Sequence, residues 1–96
     1  MSSKSNSNLL AKFLKAKRIK AGLSQKEVSD KLGYSSAQFI SNWERGLSSP
    51  PMDTLKQLTD TLNVKPKELI EVILQETKLK LEENLSIPQK KRVKKA

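Results

Sequence analysis

The chain has no cysteine and no histidine. The first absence rules out a disulfide framework and thiol chemistry. Together they remove the usual ligands of a structural zinc site and the imidazole and thiolate routes to acid–base and nucleophilic catalysis. Acidic residues are scarce as well. Ten Asp and Glu are scattered along 96 residues without a persuasive catalytic pair, so no enzyme is expected. No apolar run exceeds three residues, as at Val72-Ile73-Leu74, far short of the roughly 20 that span a bilayer. The opening Met1-Ser2-Ser3-Lys4-Ser5-Asn6-Ser7-Asn8 is too polar for a signal peptide. No cofactor, metal, small-molecule ligand or membrane partner is therefore expected, and a cytoplasmic location is the default.

What the chain does have is positive charge. Nineteen Lys and Arg give a formal net charge of +9. An excess of that size concentrates a protein near an anionic polymer or surface and raises association rates. The plainer reading is that the lysines keep a small protein soluble. The length allows one small domain plus tails.

Residues 1–8 are rich in Ser and Asn and are expected to be disordered. Apolar residues recur at Leu9, Leu10, Phe13 and Leu14, with Ile19 near the end and Lys12, Lys15, Lys17 and Lys20 off that face, which predicts a first helix closed by Gly22. Ser24 and Glu27 have capping-box spacing, opening a second helix that buries Val28 and Leu32. Gly33 supplies a turn, and Ser35 or Ser36 can cap a third helix with Phe39, Ile40 and Trp43 on its apolar side. Gly46 ends it. Pro50-Pro51 leads into a fourth helix over about 52–62, with Met52, Leu55, Leu58, Thr59 and Leu62 on one face. Lys65-Pro66 opens a fifth, over about 66–84, with Pro in its first turn. The domain boundaries are thus expected at 1–8, 9–85 and 86–96, and the fold is all-α.

Leu14, Arg18, Gly22-Leu23-Ser24-Gln25, Glu27, Gly33, Ile40-Ser41, Glu44, Gly46, Pro50 or Pro51, Leu55, Leu58, Leu62 and Val64 together resemble the Cro/repressor-like, or XRE-type, helix-turn-helix family of bacteria and phages. The resemblance covers about residues 9–73. It implies a five-helix lambda-repressor-like DNA-binding domain, here with a disordered basic C-terminal tail. Two departures stand out. Six residues separate Gly33 from Ile40, one more than the family commonly has. Aligned from Ile40, Ser36 becomes the cap and the recognition helix spans about 36–45. Ser29 stands where the family usually has Ala; it is small enough to fit and can bond a carbonyl one turn back.

The resemblance implies that the third helix enters the major groove of double-stranded DNA, the groove in which every base pair shows a distinct pattern. Ala37, Gln38, Ser41 and Asn42 are then the base-contacting residues; an amide can bond adenine N6 and N7 together, and Ala37 can touch a thymine methyl. Gln25, Ser36, Arg45 and Ser48 fall to phosphate contacts, with the loop Gly46-Leu47-Ser48-Ser49 along one strand. Arg18 and Glu44 form a structural ion pair joining the first helix to the third. Trp43, Phe13, Phe39 and Leu55 are expected in the core. Tyr34 sits in the lengthened turn. The family reading is a sequence-specific transcriptional regulator in a bacterial or phage cytoplasm, at the nucleoid. An antitoxin-like or coactivator-like protein-interaction module and a non-specific nucleoid packer are the alternatives.

Two further features extend this reading. The tail carries Lys90, Lys91, Arg92, Lys94 and Lys95, an arm able to follow phosphates without reading sequence. The fifth helix spreads Leu69, Ile70, Val72, Ile73, Leu74, Leu79 and Leu81 over roughly 240° of its circumference, where one packing face needs ~100° or a little more. The surplus suggests a homodimer through Val72, Leu74, Leu79 and Leu81; the competing reading is a helix that folds over its own domain and buries both sides.

Overall fold

The computed structural model describes residues 8–86. Five α-helices follow one another, α1 (Leu9–Lys20), α2 (Gln25–Leu32), α3 (Gln38–Glu44), α4 (Leu55–Leu62) and α5 (Pro66–Asn84), with a 3₁₀ turn at Met52–Thr54 before α4. Among the described residues there is no strand. The N-terminal residues 1–7 and the tail from residue 87, with Lys90, Lys91 and Arg92, lie outside this description. Asn8, read with the N-terminal segment from sequence, belongs to the start of α1: its carbonyl accepts the Lys12 N–H at 3.1 Å.

Local sequence accounts for most helix ends. Ser24 Oγ accepts the Glu27 N–H at 3.0 Å and Glu27 returns a carboxylate oxygen to the Ser24 N–H at 2.8 Å, so both halves of the capping box form. Pro66 occupies the first turn of α5, where its missing N–H costs nothing. Four helices close alike. The N–H groups of Leu23, Tyr34, Leu47 and Val64 each reach back five residues, to Arg18, Ser29, Asn42 and Thr59. Each follows a left-handed residue, and each is the apolar residue that such a C-terminal motif brings against its helix. At Asn63 that conformation, φ 58°, falls on a non-glycine residue, one of the few types that tolerate it.

The core is shared by all five helices. Leu10 and Leu14 from α1, Val28 and Leu32 from α2, Ile40 and Trp43 from α3, Leu58 and Leu62 from α4, Val64, and Leu69 from α5 are buried in one cluster. Phe13, Leu55, Val72 and Ile73 pack around it. Ser29 is fully buried, and its hydroxyl donates to the Lys26 carbonyl at 2.8 Å. Its polar atom is thereby satisfied within its own helix.

The structure changes three sequence expectations about packing. Met52 does not lie on a helical face: it starts the 3₁₀ turn and is 83% exposed. Phe39 leaves the core and is 50% exposed. Val72, assigned to a dimer face, packs against the chain's own core.

One buried group was absent from the sequence reading. Glu76, on α5, is buried, and its Oε1 accepts the Leu10 N–H at 2.8 Å. The side chain of Asn8 does not cap α1. A carboxylate from the far end of the chain therefore satisfies an orphaned donor in the first turn of α1, where the helix dipole also favours negative charge. Lys80 covers the other carboxylate oxygen at 3.2 Å. Glu76→Ala should lower the unfolding free energy by about 1–3 kcal/mol, the cost of a buried unsatisfied N–H. Glu76→Gln keeps an acceptor and should lose less. Urea melts of the two variants check this; equal, unchanged midpoints would contradict it.

Candidate nucleic-acid interface

Glu44 is the hub of the α1–α2–α3 junction. Its carboxylate accepts the Arg18 Nε–H at 2.6 Å on Oε2, and NH2 of Arg18 and Nε2 of Gln25 on Oε1, each at 3.0 Å. The remaining Arg18 nitrogen donates to the Leu23 carbonyl at 2.9 Å. The Glu44 side chain is only 4% exposed. This is the two-pronged guanidinium–carboxylate geometry that lysine cannot reproduce. The hydrogen bond to Glu44 raises the Arg18 pKa above its already high ordinary value; burial opposes the rise and the carboxylate charge adds to it.

The arrangement fixes how α3 faces the solvent. Ile40 and Trp43, each 3% exposed, hold its inner side. At 100° per residue, Gln38, Asn42 and Arg45 then share an outward sector of roughly 60°. These three are already linked: Gln38 Nε2 donates to Asn42 Oδ1 at 2.9 Å, and Arg45 donates to the same oxygen at 3.3 Å. Asn42 Oδ1 is thus occupied twice, while its amide N–H groups remain donors. Ser41 is half-buried on the edge of this face.

The lengthened turn moves the start of α3. Ala37, not Ser36, is the residue at the cap: its carbonyl accepts the Ser41 N–H at 2.9 Å. Ser36 stays exposed in the turn, and its hydroxyl accepts the Gln38 N–H at 3.3 Å. The helix spans 38–44 rather than about 36–45 because the additional residue is taken up before it, not within it. Gln25 differs from expectation in having a protein partner. Its amide gives one N–H to Glu44 and retains a second. Ser48 is exposed in the loop after α3. In that loop Gly46 has φ +77°, a left-handed conformation that favours glycine; a Cβ there would meet the Asn8 amide oxygen at 2.5 Å, a side-chain end that can turn aside.

Sequence reasoning also missed the aromatic packing at the turn. Tyr34 stacks on Phe39 with centroids 4.7 Å apart, and meets Trp43 edge-on at 5.8 Å. The available signal was the coincidence of an aromatic residue with an extra turn residue. Of the four residues assigned to a dimer face, Leu74 and Leu81 are exposed and Val72 and Leu79 are half-buried. No helix among the described residues is long and apolar enough to cross a membrane. The described residues also contain no metal-binding group of His, Cys, Asp and Glu.

Two short helices joined by a tight turn, the second anchored on one side and presenting amides and an arginine on the other, define a helix-turn-helix protein. A helix-turn-helix family model matches residues 14–69, and the chain belongs to that family, in its Cro/repressor-like (XRE) class. It is similar to the HTH-type transcriptional regulator ImmR of Bacillus subtilis (strain 168), 41% identical over 61 residues, which is 64% of this chain and 47% of that protein. The chain therefore spans about half the length of that relative. No solved structure matches it significantly.

Arg18→Met leaves the buried Glu44 carboxylate with Gln25 alone. The expected loss is about 3 kcal/mol, the low end for stranding a buried charge because the arginine is itself partly wet. Replacing Glu44 by Leu in the same molecule should restore part of it, and a double-mutant cycle in urea measures the coupling. Because the Arg18 pKa is raised, its contribution is complete below the unfolded guanidinium range and is lost only as pH rises through the still higher folded value. The difference between Arg18→Met and the parent chain should therefore contain no Arg18 titration between about pH 5 and pH 9.

Proposed function

We propose that this chain is a sequence-specific regulator that binds double-stranded DNA, with α3 in the major groove. The observation that carries the reading is the outward face of α3: Gln38, Asn42 and Arg45 are held together on a helix whose opposite face is anchored by Ile40, Trp43 and Glu44. An amide can satisfy both adenine N6 and N7, and an arginine nearby can take a phosphate. Gln25 adds its free amide N–H at the start of α2. The first intrahelical bond of α2 is made by the Val28 N–H, so the donors of Gln25 and Lys26 are available to a phosphate at the positive end of the helix. Ser36 and Ser48, both exposed, flank this surface, and Ala37 and Ser41 border it. The basic residues Lys90, Lys91 and Arg92 add contacts to phosphate that carry no sequence information. A regulator of this kind works in the cytoplasm, at the nucleoid.

The protein acts as a homodimer in this reading. Ile70, Leu74 and Leu81 are all exposed on α5, and at 100° per residue they fall within roughly 40° of one another. They replace the broader set expected from sequence. Beside them runs an apolar groove of about 230 Å³ between α4 and α5, lined by Leu55, Leu69, Ile70 and Ile73 among others. A two-fold contact here buries the same stripe on both copies and sets two recognition helices to read half-sites about 34–36 Å apart. Leu74→Glu should leave the fold intact and shift sedimentation at tens of micromolar from dimer to monomer. A parent chain that is monomeric both free and on DNA contradicts the dimer and leaves the stripe to a different protein partner.

The test of sequence reading is selection from random duplexes, followed by anisotropy titration. An enriched sequence, bound roughly 10- to 100-fold more weakly at its adenine step by Gln38→Ala, is expected from the loss of one bidentate base contact of about 1–3 kcal/mol. Salt-sensitive binding without enrichment contradicts the proposal and favours packaging.

A further inference from the structure

Phe39 lies beside the polar reading face of α3, about 60° round the helix from Asn42. A single exposed apolar side chain needs no special explanation. This one is set apart by its support. Its ring packs at a tilt against Tyr34, with centroids 4.7 Å apart and an interplanar angle of 32°, and Tyr34 in turn meets the buried Trp43 at 5.8 Å. The three aromatic residues lead from the buried Trp43 through Tyr34 to Phe39, which is 50% exposed. The two amides at its side are also fixed, by the 2.9 Å bond from Gln38 to Asn42.

We propose that Phe39 reads a thymine methyl group in the major groove, next to the adenine edge addressed by Gln38 and Asn42. The inference rests on the regulator reading above. An A·T pair presents the adenine N7 acceptor and N6 donor, the thymine O4 acceptor and the thymine C5 methyl side by side. Only the methyl is apolar. Amides suit the first two groups, and a fixed ring suits the last. Burying the methyl against Phe39 removes both from water. Cytosine in its place has only hydrogen at C5, so the contact with the ring is lost, and it sets an N4 donor where thymine presents the O4 acceptor. Because Tyr34 already holds the ring, little side-chain freedom is lost on contact. Ala37, the residue first matched to a thymine methyl, is half-buried at the cap and offers one carbon.

The direct test replaces each thymine of the selected duplex in turn by deoxyuridine, which keeps the pairing edge and removes only the methyl. For the full chain, one replacement per half-site should weaken binding about fourfold, the worth of one buried methyl. Phe39→Ala should bind the thymine and uracil duplexes equally, and Phe39→Leu should keep part of the difference. Gln38→Ala should keep the thymine preference while losing the adenine preference. Matching circular dichroism melts for the Leu and Ala variants show that the fold is retained. Equal thymine–uracil discrimination in Phe39→Ala and the parent chain overturns the assignment. So does a selected duplex in which no thymine methyl matters, and that outcome leaves the regulator reading standing. Failure to select any sequence overturns both.

Discussion

The carboxylate of Glu44 is the constraint on which the rest of the molecule depends. It is buried, it belongs to α3, and it draws donors from α1 through Arg18 and from α2 through Gln25. A buried charge is tolerated only when it is paired and hydrogen-bonded, so these partners must sit where they do. Three helices are thereby fixed at one point. Trp43, the preceding residue, fills the core beside it. With residues 43 and 44 both turned inward, helical geometry leaves the side chains of 38, 42 and 45 no choice but to face out. The chemistry of the exposed face follows from the chemistry of the buried one.

Glu76 solves a related problem at the other end of the domain. α1 begins without a side-chain cap of its own, and the Leu10 N–H is satisfied from α5. The two carboxylates divide the work. Glu44 ties the first three helices together, and Glu76 ties the last helix to the first. Between them, Leu58 and Leu62 of α4 close the core. The exposed stripe of α5 then lies on a helix whose position is tied to α1 through Glu76. That gives any contact made through Leu74 a rigid connection to the orientation of α3.

The sequence revealed what depends on neighbours in the chain. The Ser24–Glu27 capping box, the helix ends just before Gly22, Gly33 and Gly46, the proline start of α5 and the buried positions Leu14, Val28, Ile40, Trp43 and Leu62 all follow from local spacing. The Arg18–Glu44 pair came from family resemblance rather than from spacing. What stayed hidden depends on tertiary contacts. Nothing local says that Glu76 meets Leu10, 66 residues away. The apolar Phe39 fits the inward pattern of α3 as well as Ile40 does. It lies outside because Tyr34, in the lengthened turn, packs against Trp43 and supports Phe39 from the flank. The cap at Ala37 was missed for the same reason, since the extra residue left two ways to enter the helix.

The central claim is that the buried junction at Glu44 presents α3 and the start of α2 as one surface for DNA. Backbone amide chemical shifts, followed while the selected duplex is added to labelled protein, test it most directly. The account predicts that the largest changes fall at residues 25–27, 36–42 and 45–49, with the inward residues of α4 and α5 little affected. Changes concentrated instead along the α4–α5 groove, with α3 undisturbed, would contradict it.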